Sequence, residues 1–268
     1  MSCFKRHDKY RLRTKISCGG FSNVFIATDM HNQYAIKTLK KTNYKMYKQE
    51  CYILASIHHP FICRFIENTC INSKYAIVMD FIDGIELYDV IYKQNPLSYI
   101  QTRYIGACIL SALIYLHDLC IIYRDIKPEN IIINSYGYAI LVDFGFAKKM
   151  QSKSTQTYCG TLGYMAPEII AKKSYSYPVD MYAFGVLLYE MYMGTLPVHN
   201  CNINSENNIP ISLSLIIRNL LSRNSYERKS ALAIRWSRVF YDIDFDKLEK
   251  NEYKLSYKPQ INLLFTTR

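Results

Sequence analysis

The sequence predicts an α+β protein with two lobes, a small antiparallel β-sheet lobe carrying one main helix and a larger lobe that is mostly helical. Three observations lead to this prediction. Short β-prone runs separated by turn residues dominate the first 80 residues. Apolar residues at helical spacing dominate the rest of the chain. The 268 residues, half of them apolar, are enough for one large domain or two small lobes.

The small lobe is expected to alternate strands with short turns. Gly19-Gly20 interrupts the first strands, and Asp83-Gly84 predicts a turn close to the junction of the lobes. Apolar residues on one face of residues 43–57 predict the main helix. The expected strands lie within residues 10–36, around residues 62–68 and at residues 74–80.

The large lobe is expected to be built from helices. Helices are predicted at residues 98–118, 180–193 and 211–222, and an irregular loop at residues 198–209. The whole is interpreted as one two-lobed domain with a short tail. Its expected bounds are residues 10–240 for the domain, 10–80 and 84–240 for the two lobes, and 241–268 for the C-terminal extension.

The chain is basic, with 33 Lys and Arg against 22 Asp and Glu and a net charge of +11. Basic residues crowd residues 5–15 and recur at residues 37–48. Binding to nucleic acid or to an acidic membrane is one interpretation of this charge. A solvated basic surface is the other, and we favour it because no nucleic-acid recognition motif accompanies the charge. Nucleic acid is therefore not an expected partner, although a basic N-terminal binding module remains an alternative.

Cysteine usage and hydropathy bear on the compartment. The nine cysteines form no CxxC pair, which disfavours a disulfide framework or a zinc ribbon and favours a reducing compartment. No uncharged apolar run reaches the roughly 18 residues that a spanning helix needs. Residues 1–15 are too charged for a secretory signal. We expect a protein without a membrane span in the cytoplasm, with the nucleus as the alternative.

The most informative motif is Tyr123–Asn130, with the sequence YRDIKPEN. Asp125 can accept or orient the proton of an attacking hydroxyl, and Lys127 can offset charge on a transferred phosphate. Asn130, together with Asp143 after the next apolar run, offers the oxygen ligands that Mg²⁺ prefers. The motif predicts phosphoryl transfer. A simple salt-bridge network within the loop is the alternative, but it leaves Asp143 unexplained.

A glycine-containing turn occupies Ser17–Val24, between two expected strands. Such a turn can bring backbone N–H groups close to phosphates. Against the pattern GxGxxGxV only the middle glycine is present, as Gly19, with Ser17 and Ser22 in place of the outer two. A plain hairpin turn is the alternative interpretation of this segment taken alone.

Lys37 ends an apolar strand, and a lysine that points inward needs an anionic partner. Glu50, on the predicted main helix, is the candidate partner. The pair would hold the ammonium group against the α- and β-phosphates of a nucleotide. An ordinary lysine on an edge strand is the alternative.

A polar stretch at residues 152–161 lies between Asp143 and Ala166-Pro167-Glu168. A phosphate group here would have Arg124 and Lys148 as cationic partners and could order the segment. Glu168 is expected to pair with a buried arginine, for which Arg228 is the candidate.

In combination, these motifs resemble the eukaryotic protein kinase family, in the family's order from about Tyr10 to about Pro259. Tyr123 in place of the usual histidine, Asp143–Lys148 and Thr157–Thr161 resemble the AGC group and, within it, the cyclic-AMP-dependent kinases. The resemblance implies the two-lobed protein kinase fold. It implies an ATP- and Mg²⁺-dependent serine/threonine kinase, with catalytic residues Asp125, Lys127, Lys37 and Glu50 and metal ligands Asn130 and Asp143.

The resemblance also implies a nucleotide site between the lobes. Val24, Ala35 and Ile132 would enclose the adenine, Met79 would be the gatekeeper, and Glu86 would contact the ribose. Residues 80–82 would form the adenine-binding hinge. The full set implied for the nucleotide, with Lys37, is Ile16, Ser17, Cys18, Gly19, Gly20, Phe21, Ser22, Asn23, Val24, Ala35, Met79, Asp80, Ile82, Glu86 and Ile132.

Substrate choice and activation follow from the same resemblance. Glu86, Glu129 and Glu190 match acidic positions that bind arginines upstream of the target residue, so protein substrates with basic motifs are expected. Thr157 would be the activating phosphosite. No arginine precedes it by three residues, because Ser154 stands there, so an upstream kinase is expected to phosphorylate it.

Several positions depart from the cyclic-AMP-dependent pattern. Met46 replaces a phosphate-contacting histidine, Leu162-Gly163 replaces a Pro-Glu pair, and Gln156 replaces a tryptophan. Residues 194–211 are too few for the full helix that this pattern has there. The sequence ends at Arg268 without the long C-terminal tail of the pattern. A cyclic-AMP-type regulatory subunit is therefore not an expected partner.

The degraded glycine turn motivates a second function, a nucleotide-binding pseudokinase that acts as a scaffold. Pseudokinases usually lack one of three residues that correspond to Lys37, Asp125 and Asp143. This chain has all three. An active enzyme is therefore the favoured interpretation.

Overall fold

A computed structural model describes residues 9–18, 22–40, 44–197 and 209–253 of the chain. The small lobe is a five-stranded antiparallel sheet with the strand order β1-β2-β3-β5-β4. One helix, α1, follows β3 and packs against β4. The elements are β1 Arg11–Cys18, β2 Ser22–Thr28, β3 Gln33–Leu39, α1 Tyr44–Ala55, β4 Phe65–Ile71 and β5 Lys74–Asp80.

Local chemistry explains the turns and faces of this lobe. The Asp29 carboxylate accepts the backbone N–H groups of His31 and Asn32, both at 2.8 Å, which closes the turn between β2 and β3. The buried face of α1 carries Tyr47 and Leu54 together with one acid, Glu50. The predicted main helix and its orientation are confirmed.

The large lobe surrounds the apolar helices α3 and α5, which pack against each other. The α3 N-terminus is closed by a capping box between Ser98 and Gln101. The helices are α2 Leu87–Asp89, α3 Tyr99–Asp118, α4 Pro167–Ile170, α5 Pro178–Met193, α6 Ile211–Leu220, α7 Ala231–Arg235 and α8 Phe245–Glu249. The short strands are β6 Gly84–Glu86, β7 Ile121–Ile122, β8 Ile131–Asn134, β9 Ala139–Leu141 and β10 Lys148–Lys149.

Two small sheets in this lobe carry the loops of the candidate site. Strands β6, β8 and β9 form one antiparallel sheet, and β7 pairs with β10 in the other. The loop between β7 and β8 and the loop between β9 and β10 consequently lie side by side. These two loops contain Asp125 and Asp143.

The helices predicted from periodicity are confirmed to within about two residues at each end. The strand expected around 62–68 lies slightly later, at Phe65–Ile71. The predicted Asp83-Gly84 turn is wrong, because Gly84 opens strand β6. A Cβ atom at Gly84 would lie 2.3 Å from the Ile133 carbonyl oxygen, so the glycine serves the close approach of two strands.

Parts of three predictions fall outside the described residues. These are the glycine turn at residues 19–21, most of the loop expected at residues 198–209, and the end of the C-terminal extension after residue 253. The described start of that extension contains α8, whose Phe245 and Leu248 are buried in the core of the large lobe.

Within the described part of the chain, α3 alone has the length and hydropathy of a membrane-spanning helix. Its most apolar window is 61% buried inside the protein. Burial of this kind is common for a core helix, so the helix is weak support for a membrane span.

Candidate active site

A cleft of about 240 Å³ lies between the two lobes. Twelve of the predicted nucleotide and metal residues line it, which places the binding site predicted from the sequence in one cavity. The twelve are Ile16, Ser17, Val24, Ala35, Lys37, Met79, Asp80, Ile82, Glu86, Asn130, Ile132 and Asp143. Phe81, within the predicted hinge of residues 80–82, lines it as well, and five further lining residues had not been predicted for the nucleotide, namely Ile26, Cys63, Gly84, Glu129 and Val142.

The cleft has apolar walls above and below. Val24 and Ala35 come from neighbouring strands of the small lobe, and Ile132 comes from β8 of the large lobe. Ala35 is paired in register with Met79, at the back of the cavity. Flat apolar walls with a few polar groups at the rim suit a planar heterocycle.

The expected glycine turn is described only at its two ends. Gly19, Gly20 and Phe21 lie outside the described residues. Cys18 and Asn23, which pair across β1 and β2, and Ser22 do not line the cavity. The structure therefore places the base of this turn over the cleft, through Ser17 and Val24.

Lys37 joins the two lobes through a pair of carboxylates. Its Nζ donates to Glu50 Oε1 at 2.6 Å and to Asp143 Oδ1 at 2.7 Å. The pairing of Lys37 with Glu50 was predicted and is confirmed. The contact with Asp143 had not been predicted, since nothing in the sequence spacing relates residues 37 and 143.

The charges of this triad support one another. Burial disfavours the Lys37 ammonium group, but Glu50 and Asp143 hold its pKa above the ordinary value for lysine. Burial opposes ionisation of Asp143, yet Lys37 and the Gly145 N–H hold its pKa below the ordinary value. Burial raises the pKa of Glu50, an effect that Lys37 opposes. At neutral pH the triad contains a fixed cation facing the cleft.

Asp125, Lys127 and Asn130 form a second network, which reaches the cleft through Asn130. The Asn130 amide nitrogen donates to Asp125 Oδ2 at 2.7 Å and to the Asp125 carbonyl at 2.9 Å. Lys127 Nζ lies 3.0 Å from Asp125 Oδ2. This geometry orients the Asp125 carboxylate and leaves the amide oxygen as the Asn130 atom suited to a hard cation.

Thr161 completes this network, and sequence reasoning had missed its role. Its hydroxyl donates to Asp125 Oδ1 and accepts from Lys127 Nζ, both at 2.9 Å. Thr161 had been noted only as part of a polar stretch. No signal in the single sequence distinguishes Thr161 from the other hydroxyl residues of that stretch.

The loop that contains Asp125 is anchored by Asp180 of α5, which is fully buried. Its two oxygens accept the backbone N–H groups of Tyr123 at 2.9 Å and Arg124 at 2.8 Å, and His117 Nε2 lies 2.9 Å away. Arg124 has a φ of 71°, which L-residues rarely adopt. Strained backbone that the surroundings hold in place is common at functional sites.

Asp143 is also held in the left-handed region, with a φ of 58°. The following residue, Phe144, is buried and makes an edge-to-face contact with Tyr123 at 5.1 Å between ring centroids. The Tyr123 hydroxyl donates to the Val142 carbonyl. Packing of these two rings thus fixes the backbone on both sides of Asp143.

The 143–168 segment, which follows this loop, is ordered by side chains. The Arg124 guanidinium donates to the Tyr175 hydroxyl at 3.0 Å, and that hydroxyl donates to the Thr157 carbonyl at 2.5 Å. Lys148 donates to Thr155 at 2.7 Å. Arg124 and Lys148, the predicted phosphate partners, therefore both reach the neighbourhood of Thr157, where Thr157 itself is exposed.

The end of the segment is fixed by an ion pair. Arg228 Nη1 and Nη2 donate to the two oxygens of Glu168 at 2.7 and 2.8 Å; the Arg228 side chain is buried and that of Glu168 is 11% exposed. The predicted Glu168–Arg228 pair is confirmed. Its bidentate geometry is the strong form of a carboxylate–guanidinium contact.

The acids expected to bind substrate arginines occupy different environments. Glu86 and Glu129 are exposed and line the cleft. Glu190 is buried, and both of its oxygens accept hydrogen bonds from tyrosine hydroxyls. Its carboxylate does not open onto the surface in this structure, which differs from the expectation.

The oxygen donors at the cleft suit a Mg²⁺ ion that takes only two ligands from the protein. No group of three or more His, Cys, Asp or Glu side chains forms a metal cage within the described ranges. One amide and one carboxylate, Asn130 and Asp143, face the cavity. Mg²⁺ commonly takes one or two such ligands and completes its shell with water and phosphate oxygens, so these residues fit a metal that arrives with a nucleotide.

Comparison of the chain with known protein families identifies the family to which it belongs. The protein kinase domain family model matches residues 10–254. Because the match covers most of its length, the chain belongs to the protein kinase family. The two-lobed protein kinase fold predicted from the sequence is thereby confirmed.

Curated relatives refine this assignment to the AGC group. The chain is 34% identical over 275 residues to cAMP-dependent protein kinase type 3 of Saccharomyces cerevisiae, covering 93% of this chain and 69% of that protein. It is 33% identical to serine/threonine-protein kinase sgk-1 of Caenorhabditis elegans, with coverages of 92% and 59%. For human ribosomal protein S6 kinase alpha-6 the identity is 31% and the coverages are 94% and 37%. The chain spans from 37% to 69% of the length of these three relatives.

Proposed function

We propose that this chain is a serine/threonine protein kinase that transfers the γ-phosphate of ATP to protein substrates, with a preference for basic sequence around the target residue. The supporting observation is the placement of two charged networks on one cleft. Lys37, held by Glu50 and Asp143, lines this cavity together with Asn130, whose amide donates to the Asp125 carboxylate beside Lys127. Phosphoryl transfer needs this combination of positioning and charge stabilisation more than covalent chemistry.

Each residue has a proposed role. Lys37 binds the α- and β-phosphates, and Glu50 holds its side chain in place. Asp125 orients the attacking hydroxyl and accepts its proton, while Lys127 offsets charge on the transferred group. Asn130 and Asp143 would hold Mg²⁺, which when bound neutralises the phosphate oxygens.

The adenine would lie between the apolar walls of the cleft. Val24 and Ala35 cover it from above, Ile132 supports it from below, and Met79 closes the back. Backbone groups of residues 80–82 are placed along the rim for hydrogen bonds to the base. Ser17, in place of a glycine at the start of the turn, narrows the room above the phosphates.

Transfer of labelled phosphate from ATP to an arginine-containing serine peptide tests this proposal. Asp125→Ala should lower kcat by about a hundredfold to ten-thousandfold, the usual contribution of a general base, while nucleotide affinity changes little. Asp118→Ala removes an exposed carboxylate at the end of α3 and serves as the matched control. Activity of Asp125→Ala equal to that of the wild type would contradict the assignment.

The same assay separates the scaffold alternative. A pseudokinase scaffold would bind ATP without transferring phosphate, and Asp143→Asn would then change nothing in the assay. Transfer well above the Asp143→Asn background excludes that alternative. The cytoplasmic location, with the nucleus as alternative, stays a prediction.

Phosphorylation of Thr157 by an upstream kinase is the proposed activation step. Thr157 is exposed, and cationic groups of Arg124 and Lys148 lie near it. Its upstream sequence lacks the arginine that self-recognition would require. Mass spectrometry of recombinant protein should find low occupancy at Thr157; full occupancy in the wild type with none in Asp125→Ala would show self-phosphorylation instead.

A further inference from the structure

Glu190 of α5 is a buried acid next to the floor of the cleft. It is 1% exposed, and both oxygens are occupied by phenols, Tyr92 donating at 2.6 Å and Tyr164 at 2.5 Å. Burial raises the pKa of Glu190, while the two phenolic donors oppose that rise. Each oxygen could accept one more hydrogen bond, but the side chain is buried, so a cation from solution cannot reach it in this structure.

The position of Glu190 ties it to the site of the reaction. Tyr164 comes three residues after Thr161, whose hydroxyl contacts Asp125 and Lys127. Glu129, at the rim of the cleft, acts electrostatically on both Glu190 and Tyr92. Tyr164 also lines a small cavity together with Asp125, so the hydrogen-bonded chain from Tyr92 through Glu190 to Tyr164 leads towards the site of the reaction.

Tyr92 presents an aromatic surface at this place. Its side chain is 44% exposed although its hydroxyl is committed to Glu190, and Tyr88 is 41% exposed. The two ring centroids lie 4.7 Å apart with the planes tilted by 40°. Paired half-exposed rings beside an acid suit a guanidinium group, which is planar, weakly hydrated and able to stack.

We propose that Tyr92 determines substrate specificity: its hydroxyl covers Glu190, and its ring, together with that of Tyr88, receives a substrate arginine in place of that carboxylate. This inference rests on the proposed function. Glu190 is then a positioning residue that fixes the orientation of the Tyr92 ring. The charge that attracts a basic substrate comes from Glu129, and the rings favour arginine over lysine.

Peptide selectivity measured on the full chain tests this assignment. A serine peptide with arginines upstream of the target is varied at one position at a time to lysine or alanine, and kcat/KM is measured for each. At one position the wild type should favour arginine over lysine by about two- to fivefold, the equivalent of an exposed cation–π contact. Tyr92→Ala should abolish this ratio, and Tyr92→Phe, which keeps the ring, should retain it.

A cycle of the single and double variants at Tyr92 and Glu190 tests whether Tyr92 shields Glu190 from the substrate. With Tyr92 present, Glu190→Gln should change the arginine-to-alanine ratio by less than about twofold, because a distant or covered group couples weakly to the substrate. In the Tyr92→Ala background the uncovered carboxylate should bind arginine, so adding Glu190→Gln should lower the same ratio severalfold. Tyr136→Ala truncates a tyrosine that is 70% exposed in the turn between β8 and β9 and should leave every ratio unchanged.

Two results overturn the inference alone. One is a tenfold or larger loss of the arginine-to-alanine ratio in Glu190→Gln with Tyr92 intact. The other is an arginine-to-lysine ratio that survives in an active Tyr92→Ala protein. Failure of the wild type to phosphorylate any peptide overturns the proposed function, and the inference with it, so the two failures are distinguishable.

Discussion

The Tyr175 hydroxyl joins the Arg124 guanidinium, 3.0 Å away, to the backbone of the 143–168 segment. Arg124 immediately precedes Asp125, so the contact couples the order of that segment to the loop that contains the proposed catalytic residue. Two backbone hydrogen bonds between Thr155 and Tyr175 join the same two stretches of the chain. The arrangement holds the segment in place before any phosphate is added.

Tyr175→Phe should therefore lower the activity of the protein that is not phosphorylated at Thr157. The lost hydrogen bonds involve a buried, charged partner, for which about 1.5–3 kcal/mol is typical, so a loss of fivefold or more is expected. Phosphorylation of Thr157 should restore most of the activity, because the phosphate attracts Arg124 directly. Steady-state kcat of both phosphorylation states gives the answer, with Tyr226→Phe, a fully exposed tyrosine, as control. Equal activities without phosphate would contradict this role.

Glu50→Gln removes one of the two acids that hold Lys37. The ammonium group would then be held by Asp143 alone, at 2.7 Å, and would be drawn away from α1. We expect a higher KM for ATP and a kcat lowered by about tenfold or more, since positioning supplies much of the rate in phosphoryl transfer. Kinetic titration of ATP measures both. Gln49→Ala on the same helix, which loses only a hydrogen bond to the Ala147 carbonyl, is the matched control.

Arg228→Ala should destabilise the large lobe. Its guanidinium also donates to the carbonyl groups of Ser222 and Pro178, so truncation leaves the buried Glu168 and two carbonyls without their donor. Removal of one partner of a buried ion pair costs about 3–5 kcal/mol. Urea unfolding monitored by fluorescence measures the free energy of unfolding. The double variant Arg228→Met with Glu168→Leu should lose less, and a larger loss in the double variant would argue against the buried-charge explanation.

His59 makes stability depend on pH. Burial, with a smaller effect of His58, lowers its pKa to about 4, and the ring faces Ser111 and Glu249. The folded protein thus favours neutral His59. The stability this provides is complete above the ordinary histidine pKa of about 6.5 and declines as the pH falls from there towards 4.

The measurement is the free energy of unfolding between pH 7.5 and 4 for the wild type and His59→Gln. The wild type should lose stability faster on acidification, with a difference of up to about 1.4 kcal/mol per pH unit. His58→Gln changes an exposed histidine and should leave the slope close to that of the wild type. If the free energy of unfolding depended on pH equally in the wild type and in His59→Gln, the role of His59 would be contradicted.

Sequence reasoning predicted the parts of the site that depend on local pattern and charge balance. Lys37 at the end of a β-run needed an acid, and Glu50 was the acid on the buried face of the next helix. Glu168 and Arg228 could be paired for the same reason. The cleft residues came from motif resemblance, and the fold followed from periodicity.

The remaining contacts depend on tertiary packing. Thr161, Tyr175 and Tyr92 acquire their partners across 18 to 98 positions of sequence, and each is a polar residue in a stretch with no periodic signal. The Asp83-Gly84 prediction failed for a related reason. The sequence alone does not distinguish a glycine that allows two strands to approach closely from a glycine that allows a turn.

The Asp180 carboxylate has a consequence for how the protein becomes active during synthesis. Tyr123 and Arg124 emerge from the ribosome well before residue 180, and their backbone N–H groups have no partner until α5 is made. Since chains fold from the N-terminus as they are made, a nascent chain ending before α5 contains Asp125 without the carboxylate that anchors the backbone before it. Premature termination in that region therefore leaves the loop of Asp125 without its anchor, although every residue of the loop has been made.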